Sequence, residues 1–135
     1  LSRKAKLWEA GNHEYVYLFS VPHLTEEIYN SCRDYALEHG MAKVEPGPTH
    51  MYSYITTMFL CDSCDKAAKK ALQKCRIYKS FKMAFWGWMD FHSGLAVLGE
   101  GKAFSNASGR SAAQLLNKTL FCKAKKQLLG KEKTL

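Results

Sequence analysis

The chain has 135 residues, the length of one domain, enough to bury about two-thirds of the surface its unfolded form would expose. Hydrophobic residues make up 47% and charged residues 24%, which excludes wholesale disorder, and no apolar run approaches the ~18 residues that would span a bilayer. Twenty Lys and Arg against twelve Asp and Glu, a formal charge of +8, favour an anionic partner through counterion release and steering: RNA, DNA, or an acidic protein or membrane surface.

The opening LSRKAKLWEAGN reads as a short basic amphipathic segment that Gly11-Asn12 closes as a turn. It has no signal-peptide core. Glu14 to Val21, EYVYLFSV, is a continuous aromatic and β-branched run, the pattern of a central strand that Pro22 stops. A helix follows, with Thr25 as N-cap, Glu26 and Glu27 at its positive end, and Gly40 closing it. Leu24, Ile28, Cys32 and Tyr35 recur on its apolar face. Pro46, Gly47 and Pro48 make a turn-rich connection, and MYSYITTMFL, residues 51–60, is the second strand. A helix beginning near Asp62 carries Ala68, Leu72 and Cys75 inward and lysines outward.

From Ser80 the period changes to two. FKMAFWGWMDF sets Phe81, Met83, Phe85, Met89 and Phe91 against Lys82, Ala84, Trp86, Trp88 and Asp90, which predicts a strand. His92-Ser93-Gly94 then reads as a turn, LAVL as a short strand, Gly99-Glu100-Gly101 as a second turn and KAFS as a third strand of a meander. Ser108 caps a last helix that Gly130 ends, and KEKTL is a flexible, solvated tail. The order β-α-β-α-β-β-(β)-α predicts an α+β sandwich with a mixed sheet packed by helices, a single domain over residues 1–135.

Cys61-Asp-Ser-Cys64, between a strand and a helix, admits three readings. In the first it is a dithiol whose reactive sulfur the helix dipole assists. That placement resembles the thioredoxin-like arrangement, which implies a thiol protein using Cys61 and Cys64. The chain departs from that arrangement in having no proline after Pro48, and Asp62 and Asp65 put carboxylates beside the sulfurs. In the second it is half of a zinc site, for which no paired ligand motif exists. In the third Asp62 is the helix cap and the cysteines are small buried hydrophobes. Five cysteines at irregular spacing point to a reducing intracellular compartment: cytosol, nucleus or mitochondrial matrix.

No catalytic constellation is placed by spacing. The histidines are scattered, without a nucleophile and orienting acid beside them, and GEGKAFSNASGRS matches no phosphate-loop pattern. Asn106-Ala-Ser108 and Asn117-Lys-Thr119 fit the glycosylation pattern by composition only. The expected function is therefore a non-enzymatic basic module, without metal or cofactor, that docks to RNA or to an acidic surface of a larger protein or ribonucleoprotein assembly. The binding residues expected are Lys66, Lys69, Lys70, Lys74, Arg76, Lys79, Lys82, Arg110, Lys123, Lys125 and Lys126, with Trp86 and Trp88 as a platform for stacked bases.

Overall fold

The structure is a computed structural model that describes residues 4–10, 14–45, 47, 52–82 and 87–122. The expected tail and Gly130, together with Trp86, Lys123, Lys125 and Lys126, lie outside the described residues. The strands are β1 (Lys4–Ala10), β2 (Glu14–Leu24), β3 (Tyr52–Cys64), β4 (Tyr78–Ser80), β5 (Trp88–Val97) and β6 (Lys102–Ser105); the helices are α1 (Glu26–Met41), α2 (Lys66–Lys74) and α3 (Arg110–Leu116). One mixed sheet runs β1-β2-β3-β5, with β4 and β6 both antiparallel on the far edge of β5. β2, β3 and β5 are mutually parallel, joined by crossovers that carry α1 and α2. The α+β reading and the mixed sheet hold.

The pleat assigns the core. Tyr17, Phe19 and Val21 of β2, Ile55, Phe59 and Cys61 of β3, and Met89, Phe91, Leu95 and Val97 of β5 share one parity. They pack with Tyr29, Cys32 and Ala36 of α1 and Ala68 and Leu72 of α2, so α1 and α2 cover one face. On the other face α3 sits over β5 and β6, where a Cβ on Gly94 would come within 3.1 Å of Ala112 and 3.3 Å of Leu116. Ala96, Ala103 and Leu116 form that smaller core. The result is three layers.

Several local expectations are corrected. The basic opening segment is an edge strand in a hairpin with β2, from Lys4↔Ser20 to Ala10↔Glu14. Pro22 does not stop β2, because its missing N–H falls where the parallel ladder is skipped. Val21 pairs Cys61, His23 pairs Ser63, and the Asp62 carbonyl turns to the other edge to accept from Gly99 at 2.8 Å. Thr25 does cap α1, its hydroxyl accepting from Ile28 N–H at 3.2 Å. The buried stripe is Tyr29, Cys32, Ala36 and Gly40, however, and Tyr35 is half exposed. Gly40 is a packing residue within the helix, since a Cβ there would stand 2.8 Å from Ile55 Cδ1.

The predicted strand 81–91 is broken. β4 ends at Ser80, Lys82 takes φ 46° and Gly87 φ 89°, and Phe81 N–H donates to the Gly87 carbonyl at 2.9 Å. The alternation at Met89 and Phe91 belongs to β5, which starts afresh at Trp88 and runs straight through the expected His92-Ser93-Gly94 turn because β3 pairs it from Tyr52↔Trp88 to Cys61↔Val97. The Gly99-Glu100-Gly101 turn and the Lys102–Ser105 strand are as expected. Ser108 lies in a 3₁₀ turn, Ala107–Gly109, and its hydroxyl donates to the Phe91 carbonyl at 3.1 Å rather than capping α3.

Candidate nucleic-acid interface

Helix α2 forms because KAAKKALQK is rich in strong helix formers and buries Ala68 and Leu72 completely. Cys75, as expected, turns inward at its C-terminal end and packs on the main core. Lys66, Lys70 and Lys74, four residues apart, are exposed and align as one stripe. No acidic residue occurs from Lys66 to Met89, so nothing on this helix neutralises them. Arg76, Lys79 and Lys82 continue the exposed positive run past β4. Lys69 is committed elsewhere: its Nζ bonds both Glu100 carboxylate oxygens at 2.8 and 3.0 Å and lies 4.1 Å from the Phe104 ring centroid. Arg110 is exposed at the start of α3, on the opposite side of the sheet.

The second element is aromatic. Because Tyr52 opposes Trp88 in the β3–β5 ladder and Tyr78 sits on β4 beside them, the three rings form a row across three strands. Tyr52 and Trp88 stack at 5.6 Å and Trp88 and Tyr78 at 6.0 Å. Tyr54 stacks on His92 in the next row at 4.7 Å. The ends of the row are open, with Tyr52 42% and Tyr78 61% exposed. Two acids border it. Asp90 Oδ2 lies 3.2 Å from His92 Nε2, and Glu14 accepts from the Thr56 hydroxyl at 3.2 Å. Burial, then Tyr52, Asp90 and Glu14, raise the Tyr54 hydroxyl above its ordinary value.

Trp88 is joined by Tyr52, Tyr54 and Tyr78, which come to it only through strand pairing. The α2 lysines and the aromatic row lie on opposite faces of the sheet and meet at the β4 edge, where Arg76, Tyr78 and Lys79 are exposed.

The cysteine pair lies elsewhere than expected. Cys61 and Cys64 both belong to β3, and α2 starts only at Lys66, so Asp65 rather than Asp62 occupies the N-cap position, without a side-chain cap bond. Cys61 is buried, with its thiol 3.7 Å from the Ala96 carbonyl. Burial, with Cys64, Asp62 and Glu100 nearby, pushes that thiol up to about 12. The Cys64 thiol is raised too, burial outweighing the attraction of Lys69. No group of His, Cys, Asp and Glu suited to a metal ion occurs among the described residues.

The chain is therefore a three-layer α+β domain with a basic helix on one face of its sheet and an aromatic row on the other. It belongs to the family described as a domain of unknown function (DUF8052), whose model matches residues 1–118. No curated protein and no solved structure matches it significantly. Among the described residues no helix is long and apolar enough to cross a membrane.

Proposed function

We propose that the chain is a basic binding module for single-stranded RNA. The observation that carries the reading is the uncompensated stripe Lys66, Lys70 and Lys74, continued by Arg76 and Lys79, on a stretch without a single acid. Phosphates following these residues release counterions, and the strand reaches the β4 edge. There Tyr78 and the row behind it offer faces to unstacked bases. The aromatic row favours RNA over an acidic protein, which would use the lysines and leave the rings unemployed.

Titration of a fluorescent single-stranded RNA against the protein over a range of salt tests the reading. Binding with a log–log salt slope of about −2 or steeper, from ~0.7 per neutralised phosphate, is expected. Weak binding that ignores salt would rule it out.

A further inference from the structure

The parallel register of β2 and β3 places His23 beside Ser63, and the chain then turns into α2 through Asp65, whose N–H donates to the Leu24 carbonyl at 2.9 Å. His23 Nδ1 lies 2.7 Å from Ser63 Oγ, and His23 Nε2 lies 2.8 Å from Asp65 Oδ1. The carboxylate can only accept, so it holds the proton on Nε2 and leaves the Nδ1 lone pair facing the serine. The Ser63 hydroxyl is then the donor to a base. This is a nucleophile, a general base and an orienting acid in one hydrogen-bonded chain, with the two ring nitrogens exchanged relative to the serine-protease arrangement.

Two further features belong to the same end of the sheet. The three residues stand at the C-terminal ends of two parallel strands, where open α/β sheets place their sites. Asp65 spends its side chain on His23 and caps nothing, so the first-turn N–H groups of α2, beside the exposed Lys66 and Ala67, remain as donors for a developing oxyanion.

We propose that Ser63, His23 and Asp65 form a serine esterase centre that cleaves carboxylic esters. Ser63 Oγ attacks the ester carbonyl carbon as its proton passes to His23 Nδ1. The tetrahedral intermediate collapses, the C–O bond to the alcohol breaks, and the alcohol leaves with that proton. Water then attacks the acyl-serine, giving its proton to His23, which returns it to Ser63 Oγ as the carboxylic acid departs. The sum is ester plus water to acid plus alcohol. Ser63 and His23 are the catalytic residues and Asp65 positions the imidazole. The centre is independent of the RNA reading, so a variant with Lys70→Glu and Lys74→Glu keeps it.

The test is hydrolysis of p-nitrophenyl butyrate, with a fluorophosphonate probe to trap the serine and mass mapping of the adduct. The wild type is expected to turn over ester and carry the phosphonyl group on Ser63. Ser63→Ala should take no probe there, and His23→Gln should label and hydrolyse at least ~100-fold more slowly. In Asp65→Asn the side-chain amide can donate to Nε2 and move the ring proton to Nδ1, so labelling should fall more than tenfold with a changed pH profile and an unchanged Tm, with partial recovery in Asp65→Glu. All three positions are exposed, so the variants should fold, and circular dichroism checks that. Labelling of the wild type no faster than Ser63→Ala, or an adduct on another residue, overturns the proposal.

Discussion

Asn106 and Ser93 bond each other twice: the Asn106 side-chain oxygen accepts from Ser93 N–H at 3.0 Å, and Asn106 N–H donates to the Ser93 carbonyl at 3.1 Å. The Asn106 amide nitrogen also reaches the carbonyls of Cys75 and Phe91, each at 3.1 Å. These bonds fill the gap on the edge of β5 between β4, which ends its pairing at Asp90, and β6, which begins at Gly94. A single side chain thus stands in for the missing stretch of strand. Asn106 is 1% exposed, so its glycosylation pattern is a coincidence of composition, and Asn117 of the second pattern accepts from Ala103 N–H at 3.0 Å.

Asn106→Ala should cost about 2 to 4 kcal/mol, because buried backbone groups left unpaired cost ~1–3 kcal/mol each. Gly109→Ala should do comparable damage, since its Cβ would stand 2.5 Å from Asn106 Oδ1 and 2.7 Å from the Ser93 carbonyl oxygen. Urea unfolding of both variants measures this, and a wild-type midpoint for either would contradict the clasp.

The Cys61 thiol, with its value near 12 against an ordinary 9.0, makes stability fall at high pH. Its neutral form is the one the fold accommodates. The unfolded chain ionises first, so this contribution is complete below about 9 and is lost between about 9 and 12. Urea midpoints should decline through that window, and less so in Cys61→Ala. At neutral pH, N-ethylmaleimide should modify the half-buried Cys64 and Cys75 before Cys61 or Cys32, as peptide mapping would show.

Reversing Lys70 and Lys74 to Glu should weaken RNA binding and reduce the salt slope by ~0.7 for each phosphate that the helix no longer neutralises. Folding should be unaffected, because Ala68 and Leu72 hold the helix from its other side. An unchanged slope would move the interface away from α2.

Tyr78→Ala should reduce RNA affinity by roughly 5- to 150-fold, the equivalent of ~1–3 kcal/mol for the removal of one base stack. The ring is 61% exposed, so thermal stability should change little. If affinity holds while the salt slope is normal, the lysines bind phosphate without help from the aromatic row.

Tyr29 is wholly buried, and its hydroxyl, with Cys75 and Ser93 beside it, makes no hydrogen bond of good geometry among the described residues. Burial raises its ionisation above the ordinary tyrosine value. Tyr29→Phe removes a polar atom the core does not satisfy and should be neutral or stabilising by up to ~1 kcal/mol. A measured loss of stability would mean that the hydroxyl is bonded in solution.

Elements whose signal is local could be read along the chain. The run EYVYLFSV is apolar enough to require burial in a sheet, Thr25 caps α1 whatever packs on it, and α2 shows Lys66, Lys70 and Lys74 because its apolar residues Ala68, Ala71 and Leu72, with Cys75 after them, turn inward. Composition likewise set the +8 charge and hence the class of partner proposed. Pairing between distant strands decided the rest. Whether Pro22 ends a strand depends on which N–H groups the neighbour needs, and His92-Ser93-Gly94 looks like a turn until the paired length of β3 holds it straight. Tyr52 and Trp88 are far apart in the chain yet directly opposed, and His23 and Ser63 are 40 positions apart. Their meeting is set by the register of a parallel ladder, which one residue of slip would send to the opposite face. Spacing along the chain holds no trace of that register, because the side-chain packing that fixes it forms only when α1 and α2 close over the sheet.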